Sequence, residues 1–210
     1  MLDRLAGTAV MAFARLITGV RAEWRGAPPQ PTQRIYYANH ASHGDFVLIW
    51  TVLPPALRSL TRPVAGADYW SKGAIRRFIG TSVFNAVLIE RERENRRQDP
   101  IAVMTAALDA GASLILFPEG TRNTSEAPLL PFKGGLYQLA GARPRVELVP
   151  VWIDNISRVM PKGELLPIPL LCSVTFGAPL HLAEGEPRDT FLARARAALL
   201  ALAPAREETA

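Results

Sequence analysis

The chain predicts an α/β fold: a mixed, largely parallel sheet sandwiched by helices, with an amphipathic helix at its N-terminus. Three observations predict it. Short runs of β-branched and aromatic residues alternate with helix-length segments along the chain. Turn formers mark the junctions, among them many of the 18 prolines. Of the 210 residues 49% are hydrophobic and 20% charged, which supplies a buried core and excludes a disordered chain. One domain is the natural count at this length. No self-similarity with a period of about 20–50 residues is visible, which excludes a repeat protein.

The elements follow in order. Met1 to Ala22 is apolar, with Asp3, Arg4, Arg15 and Arg21 inside it. A spanning helix needs roughly 20 nearly uncharged residues, and the gap between Arg4 and Arg15 is too short. Arg15 also interrupts a signal-peptide core. At about 100° per residue, Leu2, Leu5, Val10, Phe13, Leu16, Ile17 and Val20 gather on one side, with Arg4 and Arg15 opposite. Such a helix either lies in a membrane interface with its arginines toward lipid phosphates, or packs on the protein's own core. The organisation predicted is an amphipathic helix over 1–25, open to either covering, and a single α/β domain over 26–210; the resemblance given below favours the membrane interface for the helix.

Gly26 to Pro31 reads as a linker, and Arg34 to Ala38 as a short buried strand. A polar turn, Asn39 to Gly44, leads into an apolar run from Phe46 to Leu53 that Pro54-Pro55 ends. Ser71 to Ile79 reads as helix, Ala86 to Ile89 as strand, and Glu90 to Arg97 as a charged loop or helix start. Asp99-Pro100 is an N-cap and first-turn pair opening a helix that Gly111 ends. Strands follow at Ser113–Phe117, Val146–Ile153 and Leu171–Phe176, with helices at Gly134–Ala140 and Arg188–Leu202. In sheets of this kind, sites gather beyond the C-terminal ends of strands. Two polar segments, 39–45 and 118–123, stand in that position.

The net charge is +5, and all but Lys72, Lys133 and Lys162 of the 24 basic residues are Arg. Arg suits phosphate because its planar fork donates two hydrogen bonds at once. Composition alone leaves the partner open among nucleic acid, an anionic membrane and a phosphorylated small molecule, and plain codon composition is the alternative source of the Arg excess. Nucleic acid is not predicted, since no recognition-helix pattern or basic-aromatic interleaving is present. The single cysteine, Cys172, excludes an internal disulfide and a Cys/His zinc module, and its apolar strand makes it inert core.

The first constellation is Asn39-His40-Ala41-Ser42-His43-Gly44-Asp45. On one continuous helix His40 and Asp45 would be about 140° out of line. They meet only if His40 precedes the helix, and Ser42 as N-cap with Asp45 three residues on provides such a start. A carboxylate on one imidazole nitrogen fixes the tautomer and leaves the other nitrogen free to take a proton. That is a general base, and the plain alternative is a His/Asp pair that merely caps a helix. No serine or cysteine is marked as a nucleophile, so the attacking hydroxyl comes with the substrate. His40, His43 and Asp45 could make a metal cluster, but no third His or Cys lies nearby, so no metal is predicted.

The second constellation is Phe117-Pro118-Glu119-Gly120-Thr121-Arg122. Gly120 permits a positive φ or a close backbone approach. Thr121, backbone N–H groups and the Arg122 fork can bind phosphate, and Glu119 can hold an arginine in place. Lys133 adds a cation beside a helix start, and Arg91 ends the strand Val87–Glu90 on the same rim. An ordinary turn containing glycine and arginine is the alternative.

A His-x4-Asp turn after one strand, an Arg after a second and Phe-Pro-Glu-Gly-Thr-Arg after a third occur here in joint order. In these motifs, with Val149-Pro150-Val151 as a fourth, the chain resembles the glycerolipid acyltransferase family over roughly Tyr36 to Trp152. The resemblance implies transfer of a fatty acyl group from an acyl-CoA or acyl-carrier-protein thioester to the free hydroxyl of 1-acylglycerol 3-phosphate, giving phosphatidic acid. It implies His40 as base and Asp45 as its orienting carboxylate. Arg91, Glu119, Gly120, Thr121 and Arg122 would bind the acceptor phosphate, with Lys133 beside them. Backbone N–H groups near the helix start would stabilise the oxyanion. No cofactor is implied beyond the thioester co-substrate. Family members are typically membrane-associated, which favours a peripheral protein on the cytoplasmic face of the inner membrane. Another lysolipid acceptor, or a non-catalytic basic protein that binds membranes, are the other readings. One departure stands out: the family's second motif often opens with Gly, and here Asn85-Ala86 occupy that place.

Overall fold

The structure is a computed structural model that describes residues 2–42, 44–90, 98–154 and 171–204, with Arg4 by its backbone alone. Seven strands form one sheet: β1 (Arg21–Trp24), β2 (Arg34–Ala38), β3 (Thr61–Gly66), β4 (Val87–Ile89), β5 (Ser113–Leu116), β6 (Glu147–Asp154) and β7 (Ser173–Phe176). Their order is β1-β7-β6-β2-β5-β3-β4. Every pairing is parallel except β6 with β7, so the sheet is mixed and largely parallel, as the alternation of elements predicts.

Central β2 is buried along its whole length between β5 and β6. Its side chains alternate: Tyr36 and Ala38 enter one apolar layer, Ile35 and Tyr37 the other. On the first face lie α1 (Leu2–Thr18), α2 (Asp45–Val52), α3 (Pro55–Arg58) and α4 (Ala67–Trp70). With them lies a π-helical turn (Ile79–Val83) that continues directly from α5 (Ala74–Phe78). On the second face lie α6 (Pro100–Asp109), α7 (Gly135–Ala142) and α8 (Arg188–Leu200). Edge-to-face rings of Phe46, Trp50, Trp70 and Phe84 tie α2 to the α4 and π segment. The Asp99 carboxylate caps α6 by accepting the Ile101 N–H, and Gly111 follows the helix at φ +84°.

Two strands are absent from the sequence reading, and each absence has a cause. β3 carries Pro63, which in a sequence argues against an inner strand. Here β3 pairs with β5 through Thr61–Pro63 and with β4 through Val64–Gly66. The missing N–H therefore sits where one partner hands over to the other. β1 is a short, half-exposed edge strand without an apolar run, fixed to β7 by its register and by the Trp24–Phe176 stack, 3.9 Å between ring centroids. Because β1 belongs to the sheet, residues 1–25 do not stand apart from 26–210.

Helix α1 is shorter than the sequence stripe and has two apolar faces. It ends at Thr18, before Gly19 at φ +50°. Small residues, Gly7 and Ala14, face the protein with Val10, Met11 and Ile17 beside them. Leu2, Leu5, Phe13 and Leu16 point outward, Leu16 with 81% of its surface exposed. The seven-residue arc is thus divided: Val10 and Ile17 pack on the core, and Val20 lies beyond the helix. Arg15 donates to the Thr51 carbonyl at the end of α2, where Arg58 also donates to Trp50, Thr51 and Leu53. Arginines therefore close α2, as cations suit a helix C-terminus.

At the N-terminal end of the sheet the buried Arg34 side chain donates to Glu147 at 2.8 Å and to the Pro28 carbonyl at 2.8 Å. Removing one partner of such a pair leaves the other poorly solvated. Arg34→Ala is expected to cost about 2–4 kcal/mol, measured by urea unfolding; a loss well under about 1 kcal/mol would show the pair behaving as a surface one.

Candidate active site

The site forms where β2 and β5 end. Ala38 leaves the sheet into Asn39, whose side-chain amide continues the ladder to β6. Asn39 Nδ2 donates to the Ile153 carbonyl at 2.9 Å and Oδ1 accepts the Ile153 N–H at 2.8 Å. This buried amide sets the direction in which the chain leaves the strand, and a sequence reading gives it no role. His40 comes next and Asp45 opens α2.

The helix begins with Gly44 as its cap, not Ser42. The Ser42 hydroxyl instead accepts the Gly44 N–H at 3.2 Å. The Asp45 carboxylate nevertheless folds back as a capping-box acid does. Oδ2 accepts the Ala41 N–H at 2.7 Å, the Ser42 N–H at 3.0 Å and His40 Nδ1 at 2.8 Å. The residue is 0% exposed. A carboxylate only accepts, so Nδ1 carries the proton and the lone pair of the neutral ring is on Nε2. Since the Ala41, Ser42 and Gly44 N–H groups are all taken, they are not the oxyanion donors expected there.

His40 is held on further sides. Its N–H donates to Glu119 Oε1 at 2.8 Å and its carbonyl accepts the Asn123 N–H at 2.6 Å. Its ring stacks on Phe117 at 4.2 Å and 17°. The imidazole keeps 18% of its surface exposed, enough for one edge to meet a ligand. Phe117 opens the motif read from sequence and Asn123 follows it, and the sequence reading gives neither a role.

Glu119 is used differently from the expectation. It is buried, and Oε2 accepts the Leu130 N–H at 2.8 Å, so each oxygen holds a backbone group. Among the described residues it grips no arginine; it ties the His40 backbone to the loop after β5. Burial pushes its carboxyl above the ordinary range, while the two N–H donors and His40 pull the other way. The folded chain thus holds that proton more tightly than the unfolded one. Its contribution falls as pH rises from the ordinary carboxyl value through the raised one.

Gly120 takes φ +69°. A Cβ there would stand 2.7 Å from Lys133 Cδ and 2.9 Å from Nζ, so the lysine lies across the bare backbone. The Gly120 N–H donates to the Phe117 carbonyl and is not free for a ligand. Lys133 borders a cavity of about 800 Å³ that Ile89, Phe117, Gly120, Gly134 and Arg188 also line. Arg188, unmarked in the sequence reading, rests its guanidinium over Gly134, 3.1 Å from where a Cβ would be. A smaller cavity, about 220 Å³, lies on the His40 side and is lined by Asn39, Glu119, Asn123 and Trp152. The Phe117–Gly120 turn separates the two. Thr121 is exposed and Arg122 half-exposed; neither lines these cavities, and Arg122 makes no ion pair among the described residues. His43 and Arg91 lie outside the described residues. Asn85, where the family often has glycine, takes φ +48°, and its carbonyl accepts from Arg62. Asparagine tolerates that conformation better than most residues. Burial and the Asp154 carboxylate push the Cys172 thiol up to about 11.

The fold and these motifs place the protein among acyltransferases: the model of the Acyltransferase family matches residues 23–154, and the chain belongs to that family. Its relatives carry one name. It is 27% identical over 167 residues to a 1-acyl-sn-glycerol-3-phosphate acyltransferase of Cocos nucifera, covering 74% of this chain and 48% of that protein. The enzyme of that name in Saccharomyces cerevisiae is 30% identical over 135 residues, 60% of this chain and 40% of that one. The Haemophilus influenzae protein is 28% identical over 150 residues, 66% and 57% respectively. The chain spans about half the length of the curated relatives it matches. The crystal structure of the LPA acyltransferase PlsC from Thermotoga maritima superposes with a TM-score of 0.69 at 18% identity, covering 95% of this chain and 79% of that one, which shows a shared fold.

Glu119→Gln tests the tie between the loops. One amide oxygen replaces one acceptor, but the NH2 then faces a backbone N–H. The variant is expected to lose about 1–3 kcal/mol at neutral pH, read by chemical denaturation; stability equal to the parent would remove the two backbone bonds from the account.

Proposed function

We propose that the chain transfers a fatty acyl group from an acyl-CoA or acyl-carrier-protein thioester to the free hydroxyl of 1-acylglycerol 3-phosphate, a step of phospholipid biosynthesis. The observation that carries this reading is the His40–Asp45 hydrogen bond of 2.8 Å at the mouth of α2, on an imidazole that stays partly exposed. The shared name of the relatives supports the acceptor.

In this mechanism Nε2 of His40 takes the proton of the acceptor hydroxyl as its oxygen attacks the thioester carbonyl. A C–O bond forms and a tetrahedral oxyanion results. Collapse breaks the C–S bond, and the leaving thiolate receives the proton from the imidazolium. Asp45 keeps Nδ1 protonated and balances the charge the ring gains. Phe117 and the backbone anchors at Glu119 and Asn123 hold the ring in position. Lys133 and Arg122, with Thr121, attract the acceptor phosphate to the turn after β5.

Among the described residues no helix is long and apolar enough to cross a membrane. The outward row of Leu2, Leu5, Phe13 and Leu16 supports attachment of α1 in a membrane interface, where the acceptor resides.

A purified protein assayed with lysophosphatidic acid and each thioester class tests the reading. His40→Ala is expected to lower transfer on the order of 10²–10⁴-fold at unchanged thermal stability; near-parental transfer would remove His40 as the base. Arg122→Ala is expected to raise the acceptor's KM while leaving thioester hydrolysis alone. Equal effects on both would end its phosphate role.

A further inference from the structure

The segment before the π turn stands out from the body of the protein. Residues 71–78 are exposed without interruption. Two of them are large and apolar: Ile75 is 76% exposed and Phe78 40%. Around them are Lys72, Arg76 and Arg77, and the chain carries no acidic residue between Asp68 and Glu90. Arg76 lies over the Tyr69 ring at 4.7 Å, and neither Lys72 nor Arg77 makes an ion pair among the described residues. A soluble surface seldom combines protruding apolar side chains with charge of one sign.

The position of the segment gives this combination its meaning. The π turn that continues α5 is crossed by α1, where a Cβ on Gly7 would lie 3.5 Å from Val83 and 3.4 Å from Trp50. Both elements cover the same apolar layer of the sheet. Among the described residues, the large exposed apolar side chains are Leu2, Leu5, Phe13 and Leu16 on α1, Ile75 and Phe78 on α5, and Leu60 and Leu171. Leu171 touches Gly19, at the end of α1. Six of these eight exposed apolar side chains therefore belong to α1 and α5, two elements far apart in sequence.

We propose that α5, with the turn before it, is a second membrane-docking element. Ile75 and Phe78 enter the acyl boundary of an anionic leaflet, and Lys72, Arg76 and Arg77 face its phosphates. Single protruding side chains ringed by cations suit a fluid lipid surface better than a folded partner, which needs a complementary apolar patch. The inference rests on the interfacial reading of α1 for the orientation of the molecule, and on nothing in the catalytic assignment.

Co-sedimentation with vesicles of phosphatidylglycerol and phosphatidylcholine in equal parts tests it. The parent is compared with Ile75→Ser/Phe78→Ser, with Arg76→Gln/Arg77→Gln and with Leu5→Ser/Leu16→Ser in α1, each checked for a parental melting curve. Each α5 double variant is expected to partition at least about tenfold more weakly. The arginine variant's loss should vanish as salt is raised, because the parent then weakens too. Acyl transfer to a detergent-dispersed acceptor should stay parental in the α5 variants, while transfer to the acceptor embedded in vesicles falls. Partition within twofold of the parent in both α5 variants overturns the proposal and assigns the surface to another partner, such as an acidic protein. If the α1 variant alone fails to bind, α1 docks and α5 does not; if only the α5 variants fail, α5 docks and the reading of α1 falls. A parent that binds vesicles but transfers no acyl group would leave the docking proposal standing and sink the enzymatic one.

Discussion

The buried carboxylate of Asp45 is the constraint on which the site depends. It has to be solvated inside the protein, and the chain does so with the Ala41 and Ser42 N–H groups and the His40 ring. Those donors exist only if residues 40–42 fold back toward a helix that starts at residue 45. One interaction thereby sets the loop conformation, the helix start and the imidazole tautomer together. The position of α2 is fixed at its other end, where Arg15 and Arg58 take the terminal carbonyls. Between these ends the helix is locked by the rings of Phe46 and Trp50 against Phe84.

Glu119 repeats the same solution from the other side of the site. A carboxylate buried after β5 captures the N–H of His40 and that of Leu130. Two strand ends of the parallel sheet are thus stitched through a side-chain carboxyl, beside the backbone bond from Asn123 to His40. Burial raises the carboxyl of Glu119, so ionisation there offsets part of the stability that its two backbone hydrogen bonds contribute in neutral solution. What it provides is position: the His40 backbone cannot shift without stranding a charge. Buried charges that fix geometry at the expense of stability are expected where a side chain must be aimed.

Much of this was legible in the sequence, for reasons that can be named. The central strands β2, β5 and β6 are buried on both faces, so they read as continuous apolar runs. Asp99-Pro100 and Gly111 bracket α6 by local chemistry alone. His40 and Asp45 are close in sequence, and a helix start brings them together whatever the rest of the fold does. The illegible parts depend on partners far away. β3 looks unlike a strand because Pro63 is tolerated only at the handover between β5 and β4. Asn39 gains its role only when Ile153 arrives beside it. Glu119 sits in a motif that suggests a ligand, and no local rule says that the N–H groups of His40 and Leu130 will claim both its oxygens. Arg188 reaches the rim of the larger cavity from a helix far along the chain, over a glycine that only the fold puts beneath it.

The two apolar faces of α1 show how one stripe can serve two solvents. An amphipathic arc read from sequence carries no label for what covers it. Packing divides it by position: Gly7 and Ala14 let the helix approach the core closely with Val10, Met11 and Ile17 beside them, whereas Leu2, Leu5, Phe13 and Leu16 remain outside. Were α1 simply a core helix, the larger side chains would be the ones to bury, since they gain most by leaving water. Their outward placement is the arrangement expected of a helix whose second face meets lipid. Because α1 packs on α2, and α2 begins at Asp45, the helix layer that faces outward with leucines is one helix removed from the imidazole.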